Sequence, residues 1–211
     1  MTEAALALQR ALGDTRGVAD SFNRLGNMRG RQGRFDEARR LHDEGLALFR
    51  ALNDRRGIAM SLGNLGCIAL YGGDYEQARA YLDASLELCR ELGEQGAIAW
   101  WLNRSGMLAC DQGDYERASR LFCESLELSM QLQDRSGCAY CLEGLARVAV
   151  AQGQAERAAQ LLGAADVLRD ETGGPHCRRI ACATSGCWGV FAPPYPTLRS
   201  RKPGLRAAPC R

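Results

Sequence analysis

The chain has 211 residues, 46% hydrophobic and 25% charged, with 27 Lys+Arg against 25 Asp+Glu, 10 Cys, 24 Gly and 6 Pro. No stretch approaches the roughly 20 unbroken apolar residues of a membrane-spanning helix, and residues 1–10 carry an early Glu3 and no long apolar core, unlike a secretory signal. The averages conceal two kinds of sequence: residues 1–172 hold 20 Arg against all 25 acidic residues, a net of −5, while residues 173–211 hold six Arg, the only lysine and all six prolines, a net of +7. The acidic balance of the first part argues against a nucleic-acid face there. Its six cysteines (Cys67, Cys89, Cys110, Cys123, Cys138 and Cys141) follow no disulfide-framework spacing, so reduced thiols and a cytoplasmic location are expected.

Self-similarity sets the elements. Leu12-Gly13-Asp14, Leu52-Asn53-Asp54, Leu92-Gly93-Glu94 and Leu132-Gln133-Asp134 recur every 40 residues. Gly holds positions 33, 73, 113 and 153, and Ala holds 38, 78, 118 and 158, in the same register. Such a period without strand-like alternation predicts a helical solenoid. In chain order, residues 1–11 come first: Leu6, Leu8 and Arg10 sit forty residues before Leu46, Leu48 and Arg50, so they are expected to be the remnant second helix of a preceding repeat, cut by a truncated gene product. Residues 12–172 follow as four repeats of two helices each. In the second repeat, Ile58, Leu62, Leu65 and Ala69 form one apolar helical stripe. Gly72-Gly73 breaks it and Asp74 caps the next helix, whose stripe is Ala78, Leu82, Ser85, Leu86 and Cys89. The Ala and Gly columns are expected where helix backbones approach too closely for a larger side chain.

Leu25-Gly26 and Leu65-Gly66 in the first helices, the Ala that opens each second helix, and Leu82 or Phe122 four residues later resemble the tetratricopeptide repeat family. The family's first-helix tyrosine is replaced by Arg29, Ala69 and Ala109, its closing proline is absent, and the unit is about six residues longer than the usual 34. The longer unit, with its Leu-Gly-Asp-x-Arg-Gly linker, is similar to repeats in the C-terminal regions of bacterial signalling ATPases and LuxR-type transcriptional regulators. The resemblance implies an all-α fold: a right-handed superhelical solenoid of stacked antiparallel helix pairs. Its first helices would line a concave groove for a protein or peptide partner.

Carrying the groove positions over by the Leu-Gly register gives Arg24, Asn27, Asn64, Cys67, Arg104, Met107, Gly144 and Arg147, and one turn earlier Asp20, Met60, Trp100 and Tyr140. Asn and Arg there suit hydrogen bonds to a peptide backbone or carboxylate, and Trp100 and Tyr140 suit apolar anchoring. The alternative is that these are solvated polar positions. The two-lysine carboxylate clamp of some relatives is absent, which disfavours a C-terminal peptide ligand.

The last repeat, Leu161-Leu162-Gly163-Ala164-Ala165-Asp166 with Leu168-Arg169, resembles the final repeat of those regulators. Residues 173–211 then depart from it. The ratio of 26 Arg to one Lys implies a GC-rich genome, and GC-rich codons read two nucleotides on from Pro175 permit an acidic, helix-forming continuation. The tail is therefore expected to be a frameshift product and disordered, since proline removes donors and no apolar face offsets the ordering entropy.

No set of residues points to catalysis. Cys138-x-x-Cys141 lacks a second ligand pair for zinc and a βαβ context for redox chemistry, so two buried thiols are expected. His176, Cys177, Cys182 and Cys187 match no metal-ligand spacing, and the sole lysine lies outside any phosphate-binding loop. His42 is expected to be a solvated mid-helix residue, and acid pairs such as Asp36-Glu37 to be helix-terminal. No metal or cofactor is expected. The sequence reads as a non-enzymatic protein-interaction module, a fragment of the sensor repeats of a signalling ATPase or LuxR-type regulator. The alternative is a self-contained scaffold or adaptor. Neither specific nucleic-acid binding nor membrane insertion is expected.

Overall fold

A computed structural model describes residues 3–172 of the chain, so the expectations for residues 173–211 lie outside the described residues. Within the described residues are nine α-helices and no strand: α1 Glu3–Ala11, α2 Thr15–Arg31, α3 Phe35–Ala51, α4 Arg55–Gly72, α5 Tyr75–Leu92, α6 Gln95–Asp111, α7 Tyr115–Gln131, α8 Arg135–Ala151 and α9 Ala155–Thr172. The pairs α2/α3, α4/α5, α6/α7 and α8/α9 are the helix hairpins of successive repeats. Each second helix also packs on the next first helix, and successive first helices touch one another along one layer. The result is a solenoid whose core lies between the stacked helices in three clusters, the first two sharing Met107 and Leu121.

The turns follow from two columns. Gly33, Gly73, Gly113 and Gly153 close the hairpins at φ +75 to +80°, a region glycine enters without a Cβ penalty. An added Cβ at Gly73, Gly113 or Gly153 would meet nothing. This column therefore serves the turn and not a close helix approach, correcting the expectation from periodicity. The linkers between repeats use the same conformation at Gly13, Asn53, Gly93 and Gln133. Acidic residues then cap the next helix: Asp14, Asp54 and Asp134 accept from the amides of Gly17, Gly57 and Gly137 at 2.9–3.0 Å. Asp74 and Asp114 do so for Gln77 and Arg117. Glu94 makes no such bond.

The close approaches lie elsewhere. Ala38, Ala78 and Ala118 are fully buried, and a Cβ on Gly66 or Gly106 would stand 2.8 or 2.7 Å from Leu82 or Phe122. The predicted α5 stripe, Ala78, Leu82, Ser85, Leu86 and Cys89, is its buried set. Ser85 fits an apolar stripe because its Oγ donates to the carbonyl of Ala59 at 2.7 Å, and Ser125 repeats the bond to Ala99 at 2.6 Å. The first helices depart from a single stripe. α4 buries Ala59, Ser61, Gly63 and Ile68 besides Leu65 and Ala69, while Ile58 and Leu62 are only half-buried. α6 buries every residue from Trp101 to Gly106. A helix held between its own partner, the preceding second helix and two neighbouring first helices has little free face.

His42 is a second correction. It is fully buried, and its Nδ1–H donates to Asn23 Oδ1 at 3.0 Å. Asn23 in turn donates to Ser61 Oγ at 2.9 Å, linking α3, α2 and α4. Burial lowers its pKa to about 4, so the ring is neutral at pH 7. The imidazole occupies the second-helix column in which Leu82 and Phe122 stand, and Gly26 leaves it space.

Candidate functional site

The layer of first helices presents the residues selected by the Leu-Gly register. Arg24 and Asn27 are exposed on α2. On α4, Met60 is 40% exposed and Asn64 half-buried. On α6, Trp100 is 40% exposed, whereas Arg104 is only 6% exposed; Met107 is half-buried. Tyr140 and Arg147 on α8 are half-buried.

The structure brings four of these residues into one cluster. The guanidinium of Arg104 lies 4.2 Å from the Trp100 ring centroid and 5.6 Å from that of Tyr140. The two rings meet edge to face at 5.6 Å, an arrangement the ring quadrupoles favour. Arg104 Nη1 donates to Met107 Sδ at 3.2 Å, and its Nε has no acceptor among the described residues. Cys67 completes this wall: burial pushes its thiol up to about 11, with the Arg104 charge opposing only in part, so it is neutral at pH 7.

Three neighbours were not singled out by sequence reasoning. Arg169 of α9 lies 4.5 Å over the other partner ring, Tyr140, and donates to Glu143 Oε1 at 2.6 Å. The Glu143 hydrogen bond raises the Arg169 pKa above its ordinary value, against the cost of burial. One signal was available: Arg169 stands in the register column of Phe49, Cys89 and Ser129, all buried residues. Asn103, also buried, donates to Cys141 Sγ at 3.7 Å, and that thiol donates to Ser125 Oγ at 3.1 Å. Burial also pushes the Cys141 thiol up, in line with the reading of Cys138 and Cys141 as core residues.

Beside Trp100 a cavity of about 400 Å³ opens between α4, the end of α5 and the start of α6. Ala59, Met60, Leu92, Ala97, Trp100 and Trp101 supply its apolar wall, and Arg56 and Glu94, ion-paired at 3.2 Å, its polar part. Arg147 is ion-paired with Asp111 across α8 and α6. Among the described residues no three His, Cys, Asp or Glu side chains are grouped as metal ligands, and no helix is long and apolar enough to cross a membrane.

Solved structures with the same architecture include BtubC (BKLC) from P. vanneervenii, at 21% identity and a TM-score of 0.62, covering 83% of this chain and 82% of that one. Repeats of a putative kinesin light chain from Podosopora anserina are similar at 16% identity and a TM-score of 0.58, covering 81% and 84%. Aspartyl phosphate phosphatase F from Bacillus subtilis gives a TM-score of 0.65 at 11% identity, covering 74% of this chain and 41% of its own. At these identities the likeness is one of fold. No curated protein matches the chain in sequence. The tetratricopeptide repeat signature matches residues 17–91, 57–131 and 97–165, overlapping windows set 40 residues apart like the repeats themselves. The chain belongs to the tetratricopeptide repeat family.

Proposed function

We propose that the chain is a non-enzymatic interaction module that takes a protein or peptide segment on a concave face formed by its first helices. The observation that carries this reading is the pair of aromatic rings, Trp100 and Tyr140, held edge to face and partly open beside an apolar cavity. Large rings already fixed by their neighbours lose little entropy on binding and suit an anchor role. Asn27 and Asn64 supply further amide donors and acceptors along the same face. The 40-residue unit and its Leu-Gly-Asp-x-Arg-Gly linkers support a parent protein of the signalling ATPase or LuxR-type class, in which these repeats would sense the partner. Sequencing the surrounding locus tests that origin: an ATPase reading frame upstream supports it, and unrelated frames on both sides refute it.

The binding test starts from peptides selected by display on the full chain. Synthetic forms are then titrated against the unaltered protein and its Trp100→Ala and Asn64→Ala variants. Loss of about tenfold in affinity for Trp100→Ala, with helical content and cooperative unfolding retained, is expected. Equal affinity for all three proteins would place binding elsewhere and overturn the reading.

A further inference from the structure

We propose that Arg104 reads an aspartate or glutamate side chain within the partner segment, while the adjoining cavity between Met60 and Trp100 takes a large apolar side chain two or three residues away. This inference rests on the interaction reading above and adds the chemistry of the partner.

Arg104 is the reason. A guanidinium has five N–H donors in a planar fork matched to a carboxylate. Here the residue is 94% removed from solvent, yet the described residues offer it one thioether sulfur, a weak acceptor, and nothing at Nε. The neighbouring thiol of Cys67 is neutral and contributes no counter-charge. Arg169, over Tyr140, is neutralised by Glu143, and Arg56, at the cavity, by Glu94. A buried charge without an opposite partner is costly, and the cation–π contacts with Trp100 and Tyr140 offset only part of that cost. The two ring contacts and the bond to Met107 hold the guanidinium in place, so a carboxylate meets donors already positioned. One uncompensated positive charge is matched by one carboxylate. A doubly charged phosphate would overmatch it.

The spacing follows from α6. Ala97, in the cavity wall, and Arg104 are seven residues apart, about 10 Å along a helix. An extended peptide covers that span in about three residues. Trp100 lies between them, walling the cavity and carrying the guanidinium on its ring. A partner side chain packed on Trp100 in the cavity therefore sets the register of the acidic residue that follows or precedes it.

The probes are end-capped random peptides, displayed without a free carboxyl terminus, selected on the full chain and then synthesised with blocked ends. Selected peptides should share an acidic residue two or three positions from a large apolar one. Changing that Glu to Gln in the peptide should weaken binding about tenfold or more, and added salt should weaken the Glu form alone. Against Arg104→Gln the two peptides should differ by less than about twofold, and against Arg104→Lys by less than against the unaltered protein. The Arg104 Nε–H resonance of the unaltered protein should shift with the Glu peptide and not with the Gln peptide, a readout that needs no variant to fold. Peptides that depend on Trp100 but tolerate Glu-to-Gln within twofold would overturn the Arg104 assignment and leave the interaction reading standing. Tenfold tighter binding of the same peptide resynthesised with a free carboxyl terminus, or a tenfold preference for phosphoserine over glutamate, would also overturn it. Peptides indifferent to Trp100→Ala would remove both.

Discussion

His42 stacks where Gly26 has no side chain: a Cβ on Gly26 would lie 2.7 Å from both Cε1 and Nε2 of the imidazole. The ring is fully buried against Gly26; among the described residues Asn23 is its one hydrogen-bond partner and Nε2 has none. Its folded pKa of about 4 lies below the ordinary 6.5. The unfolded chain thus takes up the proton first as pH falls, and the folded state loses stability between pH 6.5 and about 4. Above 6.5 the contribution is complete. About 3 kcal/mol should be lost across that window, from a shift of that size. Urea melts at pH 7, 5.5 and 4 on the order of those limits check this, with His42→Gln as the comparison. The variant should lose less than the unaltered protein over the same interval; parallel curves would show that the ring charges freely in the fold.

Overpacking offers a separate measure of the helix crossings. Ala78 and Ala118 are fully buried opposite the first helices, so Leu at either position should cost roughly 1–3 kcal/mol. Arg79, next to Ala78, is exposed and bonds Gln112 Oε1 at 2.7 Å. Arg79→Ala should cost under about 0.5 kcal/mol. Equal thermal shifts for the two kinds of variant would contradict the packing.

The linker caps predict a difference between repeats at one register position. Asp134 accepts from Gly137 N at 3.0 Å and Asp54 from Gly57 N at 3.0 Å, while Glu94, in the same column, accepts nothing from its helix. The extra methylene moves the carboxylate beyond the first-turn amides. Asp134→Ala should therefore cost about 1 kcal/mol, and Glu94→Ala less than half of that, since it gives up only a surface ion pair with Arg56. Denaturant midpoints at constant slope distinguish the two.

The second helices were legible because only one face is buried: the α5 stripe read from period and spacing is the observed one. Capping by Asp74 was legible for the same reason, as a local interaction three residues long. His42 was not, because its flanking Asp43 and Glu44 describe the exposed side of α3, and the partner that makes room, Gly26, is on another helix. The register placed Arg104 on α6, but its burial was not legible, because it sits against Trp100 and Tyr140, one of them a repeat away. Such cross-repeat contacts leave no trace in a one-helix period. The repeat column does carry some of them, as Arg169 in a buried column shows.

Trp100 and Trp101 are adjacent in sequence, with ring centroids 6.5 Å apart, and they divide the two roles of α6 between them. Trp101 is 1% exposed and lies where a side chain on Gly63 of α4 would collide with its indole. Trp100, at 40% exposure, faces away from that packing and carries Arg104 and Tyr140. Truncating Trp101 to Ala removes a filled core position against a helix that cannot collapse onto it without moving the neighbouring repeat, so the cost should be about 3–5 kcal/mol. Truncating Trp100 removes an edge-to-face contact and a cation–π contact, each about 0.5–1.5 kcal/mol. It also relaxes Arg104 toward solvent, which offsets part of that loss. Its net cost should stay below about 2 kcal/mol, with full helical content. Tryptophan emission gives a second check that does not depend on melting. Trp100→Ala should remove a component accessible to acrylamide, whereas Trp101→Phe should remove a shielded, blue-shifted one. If Trp100→Ala unfolds the chain as readily as Trp101→Ala, Trp100 is part of the core, and the face assigned to the partner is closed by packing.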